Sequence, residues 1–366
     1  MNKKIPDIIG LPAIIALLSY LIWAYIATFL WGKNEYNLYD LNALALCVIA
    51  FSMILSIINN NRMLNIVISI WFLMGLVGAG LALCQVFFHG PYPAGVDEIA
   101  LYKLSRVAMF LHAESVPIVV GFFNNQNKLA QILMPYFIVS SIFWINLLAS
   151  KKRSLLWPVL SLSFGAILCL TFARSPIMIS FVAIALFGFM KKDSIFNKIE
   201  YYLLSLIGFI CIIGTPAALK IVGDSLSTRM SFLNVALNMF LREKLVFLSG
   251  NGMPLWANYF KEYAWWETFY PNAHNFYVNQ LLLYGIIGLI LMLLFIYFSL
   301  QAAFKQKNGS NRSELFSPFP YLAAAWAMLA SAFFEPAFES LYQKFQLFFI
   351  LAIIIAVSYF RIGEDG

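Results

Sequence analysis

Residues 271–300 read PNAHNFYVNQLLLYGIIGLILMLLFIYFSL. No charge interrupts this run, and it has the length that a bilayer core demands of a helix, about 20 residues. His274 and Asn275 stand at its mouth, and Gly285 and Gly288 lie within it. A polar His-Asn pair at the edge of a hydrocarbon-length helix costs desolvation energy unless water, protein or a ligand satisfies it. As plain architecture, Asn and His cap helix starts, and glycines in membrane helices allow close packing. Whether the pair also does chemistry depends on the side of the membrane it faces, and on what else faces that side.

Similar runs recur along all 366 residues, of which 62% are hydrophobic and only 11% charged. Soluble domains carry roughly 25% charged residues. The chain therefore reads as an all-α, polytopic membrane helix bundle, a single integral membrane domain over 1–366. A β-barrel would alternate apolar and polar residues over short segments instead. Spans are expected near 8–31, 41–58, 64–88, 128–148, 155–172, 176–190, 201–218, 274–300, 319–334 and 341–360, ten in all. The first is too long for a signal-peptide core. Two connections are long, 89–127 and 219–273. A pair of half-spans within 100–123 is the alternative reading of the first, because Arg106, His112 and Glu114 break its apolar stretches.

The formal charge of +7 sits in short clusters between spans, such as Lys151-Lys152-Arg153 and Lys191-Lys192. That is the pattern of cytoplasmic loops, and it gives no reason to expect nucleic acid as a partner. Placing the N-terminus inside makes every short inside loop basic. Both termini are then cytoplasmic, and both long connections lie on the outer face. Cys47, Cys84, Cys169 and Cys211 fall inside apolar runs without CxxC spacing, so they read as core residues.

On that topology His274, Arg174 and Arg229 all fall on the outer face. Arg174 stands in a tight outer turn between two spans, where a guanidinium needs an anionic partner or solvation; snorkelling to lipid phosphate is the structural alternative. Arg229 opens an amphipathic segment in which Phe232, Ala236, Leu237 and Phe240 share a helical face. Ser227 or Thr228 could cap its start, leaving Arg229 at a helix N-terminus that favours anions. The aromatics from Trp256 to Tyr270 read as an interfacial belt, or as a rim that stacks on sugars. His89 and His112 have no partner at metal spacing, and no P-loop, dinucleotide fingerprint or serine elbow occurs.

Four stretches together resemble the bacterial O-antigen ligase and polymerase family. These are Gly121-Phe-Phe-Asn-Asn-Gln-Asn127, Leu170-Thr-Phe-Ala-Arg174-Ser175, Thr228 to Gly252, and His274-Asn275 followed after nine residues by Gly285-Ile-Ile-Gly288. Ala173 departs from the small polar residue expected before the arginine. The resemblance implies a glycosyltransferase-C-like bundle in the bacterial inner membrane, working without a metal or other cofactor. Its donor would be an undecaprenyl-pyrophosphate-linked glycan. Its acceptor would be lipid A–core for a ligase or a growing glycan for a polymerase, met at the periplasmic face.

On this resemblance Arg174 and Arg229 would hold the pyrophosphate, since arginine stays charged and offers paired donors to phosphate oxygens. His274 would be the general base for the acceptor hydroxyl, imidazole titrating near operating pH; a hydrogen bond to the pyrophosphate is its alternative role. Asn275 and Asn127 would support the site. A transporter or lipid flippase is the rival class, and it would show ionisable residues or broken helices near mid-membrane.

Overall fold

The computed structural model describes residues 10–30, 35–88, 120–121, 125–150, 154–171, 173–190, 216–250, 252–263, 273–304, 317–333 and 340–362. All regular structure among them is helical, with no strand. In chain order the helices are α1 (Leu11–Leu30), α2 (Glu35–Ile57), α3 (Asn61–Phe88), α4 (Gln126–Ala149), α5 (Leu156–Leu170) and α6 (Arg174–Met190). They continue with α7 (Pro216–Arg242), α8 (Lys244–Ser249), α9 (Met253–Tyr263), α10 (Phe276–Phe304), α11 (Phe319–Ser331) and α12 (Leu341–Ile362). Six of these are long and apolar enough to cross a membrane, namely α1, α2, α3, α4, α10 and α12, while α5, α6 and α11 are shorter apolar helices. The expected span at 201–218 lies almost wholly outside the described residues, as do the half-spans within 100–123.

The chain divides into two compact units. The unit formed by 65–212 and 323–331 is organised on α4, which packs against α5 and α6. Aromatic rings fill it: Trp71 stacks on Tyr136 at 4.3 Å, and Tyr136 on Phe164 at 5.3 Å. The buried Gln85 of α3 ties down the turn at 120–121, accepting from the Val120 and Gly121 amides and donating to the Gly121 carbonyl.

The other unit, 1–64 with 213–322 and 332–366, holds α1, α2, α7 to α10 and α12. Asp40 of α2 meets both Tyr284 of α10 and Lys344 of α12. Farther along, Phe51 meets Phe295 and Phe348, at 5.4 and 6.3 Å between ring centres. The three helices therefore run the same way and begin at the same end. The second span is expected to start at 41, but α2 begins at Glu35, so Asp40 is carried inside it and buried.

α7 corrects a second expectation. It runs unbroken from Pro216, a residue suited to the first helical position, through Ser227 and Thr228 to Arg242. No proline follows Pro216 to cut the ladder, so neither Ser227 nor Thr228 caps a helix, and Arg229 lies in the interior. The buried stripe is also rotated from the expected face. Phe232, Val235, Ala236 and Met239 pack inward against Trp256 and Phe260 of α9, while Leu237 is exposed. Met230, Leu233, Leu237 and Leu241 form a second apolar stripe on the opposite side, as suits a helix bathed in lipid.

Candidate functional site

The start of α10 is built by Asn275. Its side-chain oxygen accepts from the Val278 amide (3.1 Å) and its carbonyl from the Asn279 amide (2.9 Å), the pattern of an N-cap. Its own amide group donates to the Phe333 carbonyl (3.1 Å), and the Phe276 N–H donates to the Ala332 carbonyl (3.0 Å). From within the helix, Asn279 accepts from the Ala273 N–H (3.0 Å). The segment entering α10 is thus pinned on both sides of His274.

His274 itself adopts φ 47°. This is the left-handed region, where His and Asn are several-fold enriched over other non-glycine residues. The strained turn aims the imidazole onto Phe232, the rings lying nearly parallel at 5.3 Å. Phe232 follows Arg229 by about one turn of α7. The same helix thereby brings a guanidinium to His274.

The electrostatics follow. Burial, and then the charge of Arg229, lower the His274 pKa from the usual 6.5 to about 4. The imidazole is neutral at pH 7 and keeps one nitrogen as an acceptor. This corrects the expectation that it titrates near operating pH. An anion seated beside Arg229 would offset that charge and lift the imidazole back toward its ordinary range.

Beyond this mouth α10 is not one helix. Gly285 has φ 67° and ψ −173°, which breaks it into 276–284 and a longer second half. The break opens backbone groups that the ladder would have paired. The Leu282 carbonyl accepts from the Gly252 N–H (2.7 Å), and the Tyr284 carbonyl from the Trp23 indole N–H (2.7 Å). Gly250, at φ 90°, lies so close to Leu283 and Tyr284 that a Cβ there would strike their backbone; one at Gly285 would strike Leu248. Two of the stretches that carry the family resemblance therefore touch each other in the fold, at Ser249 and Gly285.

Sequence reading missed a polar cluster below the mouth. Lys344 and Asp40 form a buried ion pair, and the Tyr284 hydroxyl donates to the second Asp40 oxygen (2.8 Å). The Tyr20 hydroxyl donates to Gln280, and the Tyr20 ring meets that of Tyr284 edge-on at 5.9 Å. A small cavity of about 20 Å³, room for about one water, adjoins Tyr20, Gln280 and Lys344. The available signal was a single Asp and a single Lys, each within two turns of the start of a helix long and apolar enough to cross a membrane.

The remaining candidates belong to the other unit. Arg174 is exposed at the first position of α6. The turn before it is shaped by Thr171, whose hydroxyl donates to the Leu168 carbonyl (2.6 Å) and accepts from the Ala173 N–H (3.2 Å). Asn127 lies in the first turn of α4, its N–H donating to the capping side chain of Asn125 (2.7 Å). So the fold gathers His274, Asn275 and Arg229 within one unit, while Arg174 and Asn127 each open a helix of the other.

The aromatic segment is also redistributed. Trp256 and Phe260 are core residues, with Tyr259 and Tyr263 stacked at its edge, and 264–270 lie outside the described residues. Cys169 is exposed although read as core; Cys47 is buried as expected. No protein-family model matches the sequence, and no curated protein is similar to it.

Proposed function

We propose that this protein is a membrane glycosyltransferase of the O-antigen ligase type. It moves a glycan from undecaprenyl pyrophosphate to the lipid A–core acceptor at the periplasmic face of the bacterial inner membrane. The observation that carries the reading is that His274, just outside the apolar span, stacks on Phe232 of α7 and feels the charge of Arg229 from the same helix. A guanidinium suits the leaving pyrophosphate, and a neutral imidazole suits the acceptor hydroxyl. The two roles reinforce each other. Burial is the larger cause of the low His274 pKa and would remain, but donor bound at Arg229 would offset the lesser one, so the base gains some strength when its substrate arrives. The family resemblance adds Arg174 as a second pyrophosphate ligand, and Asn127 and Asn275 as supporting residues.

Ten spans with cytoplasmic termini are part of this proposal. The shared direction of α2, α10 and α12 supports it, because the second, eighth and tenth of ten spans must run alike. It would place His274 and the start of all three helices at the outer face. Joining lipid-linked repeats, the polymerase reaction, uses the same donor. A deletion strain separates the two: a ligase loses every attached polysaccharide band, whereas a polymerase leaves a single attached repeat.

A polysaccharide or lipid transporter is the second reading. The break at Gly285 and the buried Asp40–Lys344 pair favour it, since broken helices and intramembrane charges mark translocation sites. The deciding experiment supplies lipid-linked glycan to the purified protein, in detergent with acceptor and in sealed vesicles without it. Glycosyl transfer in detergent supports the enzyme. Movement of the lipid across vesicles with no transfer replaces it with the transporter.

A further inference from the structure

The break at Gly285 raises a mechanical question: what holds 276–284 in place once the rest of α10 no longer does? Packing supplies part of the answer, and directional bonds supply the rest. At its inner end, Tyr284 is fixed twice, by its carbonyl to Trp23 and by its hydroxyl to Asp40. One turn outward, Gln280 accepts from Tyr20. Asp40 could not hold Tyr284 as a lone buried carboxylate, since an unpaired buried charge is strongly unfavourable. Lys344 balances it from α12 and places its other oxygen. Three helices thus converge on the inner end of a segment of about two and a half turns whose outer end carries Asn275 and His274.

We propose that Asp40, Lys344 and Tyr284 are positioning residues for His274: the buried ion pair clamps the severed half-helix and so sets the imidazole over Phe232 and beside Arg229. This rests on the reading that His274 acts on substrate. None of the three residues needs to touch substrate. Their effect is transmitted because a short helix is rigid along its axis, and a rotation at Tyr284 turns its capping end as well. Displacements of about 1 Å at a reacting group can cost on the order of a hundredfold in rate.

Tyr284→Phe is the sharpest variant. It keeps the ring, the packing and the Asp40–Lys344 pair, and removes only the bond between clamp and half-helix. Asp40→Asn with Lys344→Met removes the pair itself without leaving a lone charge. The first readout needs no substrate: diethyl pyrocarbonate modification of His274, followed by mass spectrometry of its peptide. Both variants should change the His274 rate by about three- to tenfold, the equilibrium equivalent of one net hydrogen bond. Combining them should add nothing, because both act through one path. The second readout is transfer by the purified protein, where kcat should fall about tenfold or more with KM changed far less.

An unchanged His274 rate in both variants, at any thermal midpoint, overturns the clamp and leaves the pair a packing feature. Fully additive effects on that rate overturn it too. If the His274 rate shifts while even the wild-type protein transfers no glycan, the clamp stands and the glycosyltransferase reading falls.

Discussion

The two halves of α10 are both free of charge but are held by different forces. In 276–284, Asn279, Gln280 and Tyr284 are buried, and each bonds to another segment of its unit. In 288–304, Ser299 bonds only back to the Phe295 carbonyl, and Ile290, Leu293 and Tyr297 are exposed along one side. The second half is placed by packing, which tolerates sliding and repacking of similar shapes. The first is placed by hydrogen bonds that are strong in a low dielectric and costly to leave unmade. In the proposed enzyme, the half that would hold His274 to a geometry is the one with directional ties, and the half that would only cross the bilayer lacks them.

The largest effect should come from closing the gap between them. Gly285→Ala meets a positive-φ penalty of about 1–3 kcal/mol and drives its Cβ into the Leu248 carbonyl, a backbone group that cannot swing aside. We expect loss of monodisperse protein on size exclusion. Gly80→Ala, where a Cβ meets nothing within 4 Å, should melt at or above the wild-type temperature. A Gly285→Ala protein as stable as wild type would mean that α10 is continuous and the two halves are one.

Next comes His274. Asparagine shares its tolerance of φ near 47°, so His274→Asn keeps the turn while removing the imidazole. Transfer should be abolished with the thermal midpoint shifted by only a few degrees. Near-wild-type transfer would leave the outer half of α10 with a cap and no chemistry.

Arg229→Gln tests the electrostatics. If His274 is the proposed base it works as a neutral imidazole, so kcat/KM of the wild-type protein should fall only as pH drops through about 4. Removing Arg229 removes the lesser of the two causes and leaves burial, so the acid limb should move upward yet stay below the ordinary 6.5. The same depressed pKa makes a stability contribution that is full above about 6.5 and lost as pH falls toward 4. An acid limb that does not move would separate Arg229 from His274.

The smallest effect is expected at Arg242→Ala. Arg242 and Glu262 pair at 3.0 Å, but both side chains are more than half exposed, and such pairs are screened by solvent. Melting and transfer should both stay close to wild type. A large loss would bring the α7–α9 edge into the site.

Much of the helical framework was legible from hydropathy alone, because a bilayer leaves the backbone few options and helices satisfy it internally. The cap at Asn275 was legible as well, since side-chain chemistry at a helix start is local. The meeting of Arg229 with His274 was legible only as a shared face of the membrane. The expected route, a helix N-terminus at Arg229, was wrong: Arg229 lies inside α7, about one turn before the Phe232 ring on which His274 stacks. The Asp40–Lys344 pair was not legible. Its partners are separated by about 300 residues, and hydropathy averages one charge into a span of twenty apolar neighbours.

The sequence by itself determined that this chain is helical, that several of its helices are long and apolar enough to cross a membrane, and that a polar His-Asn pair opens one of them. Those follow from periodicity and length, which act within a single helix. Only the tertiary structure decided that Gly285 breaks that span, since the break depends on the Gly250 backbone and the Trp23 indole arriving to take up the freed space and carbonyls. Only it decided that His274 is a neutral imidazole, because burial and the nearness of Arg229 are properties of the assembled unit, and a pKa responds to surroundings that no stretch of sequence contains.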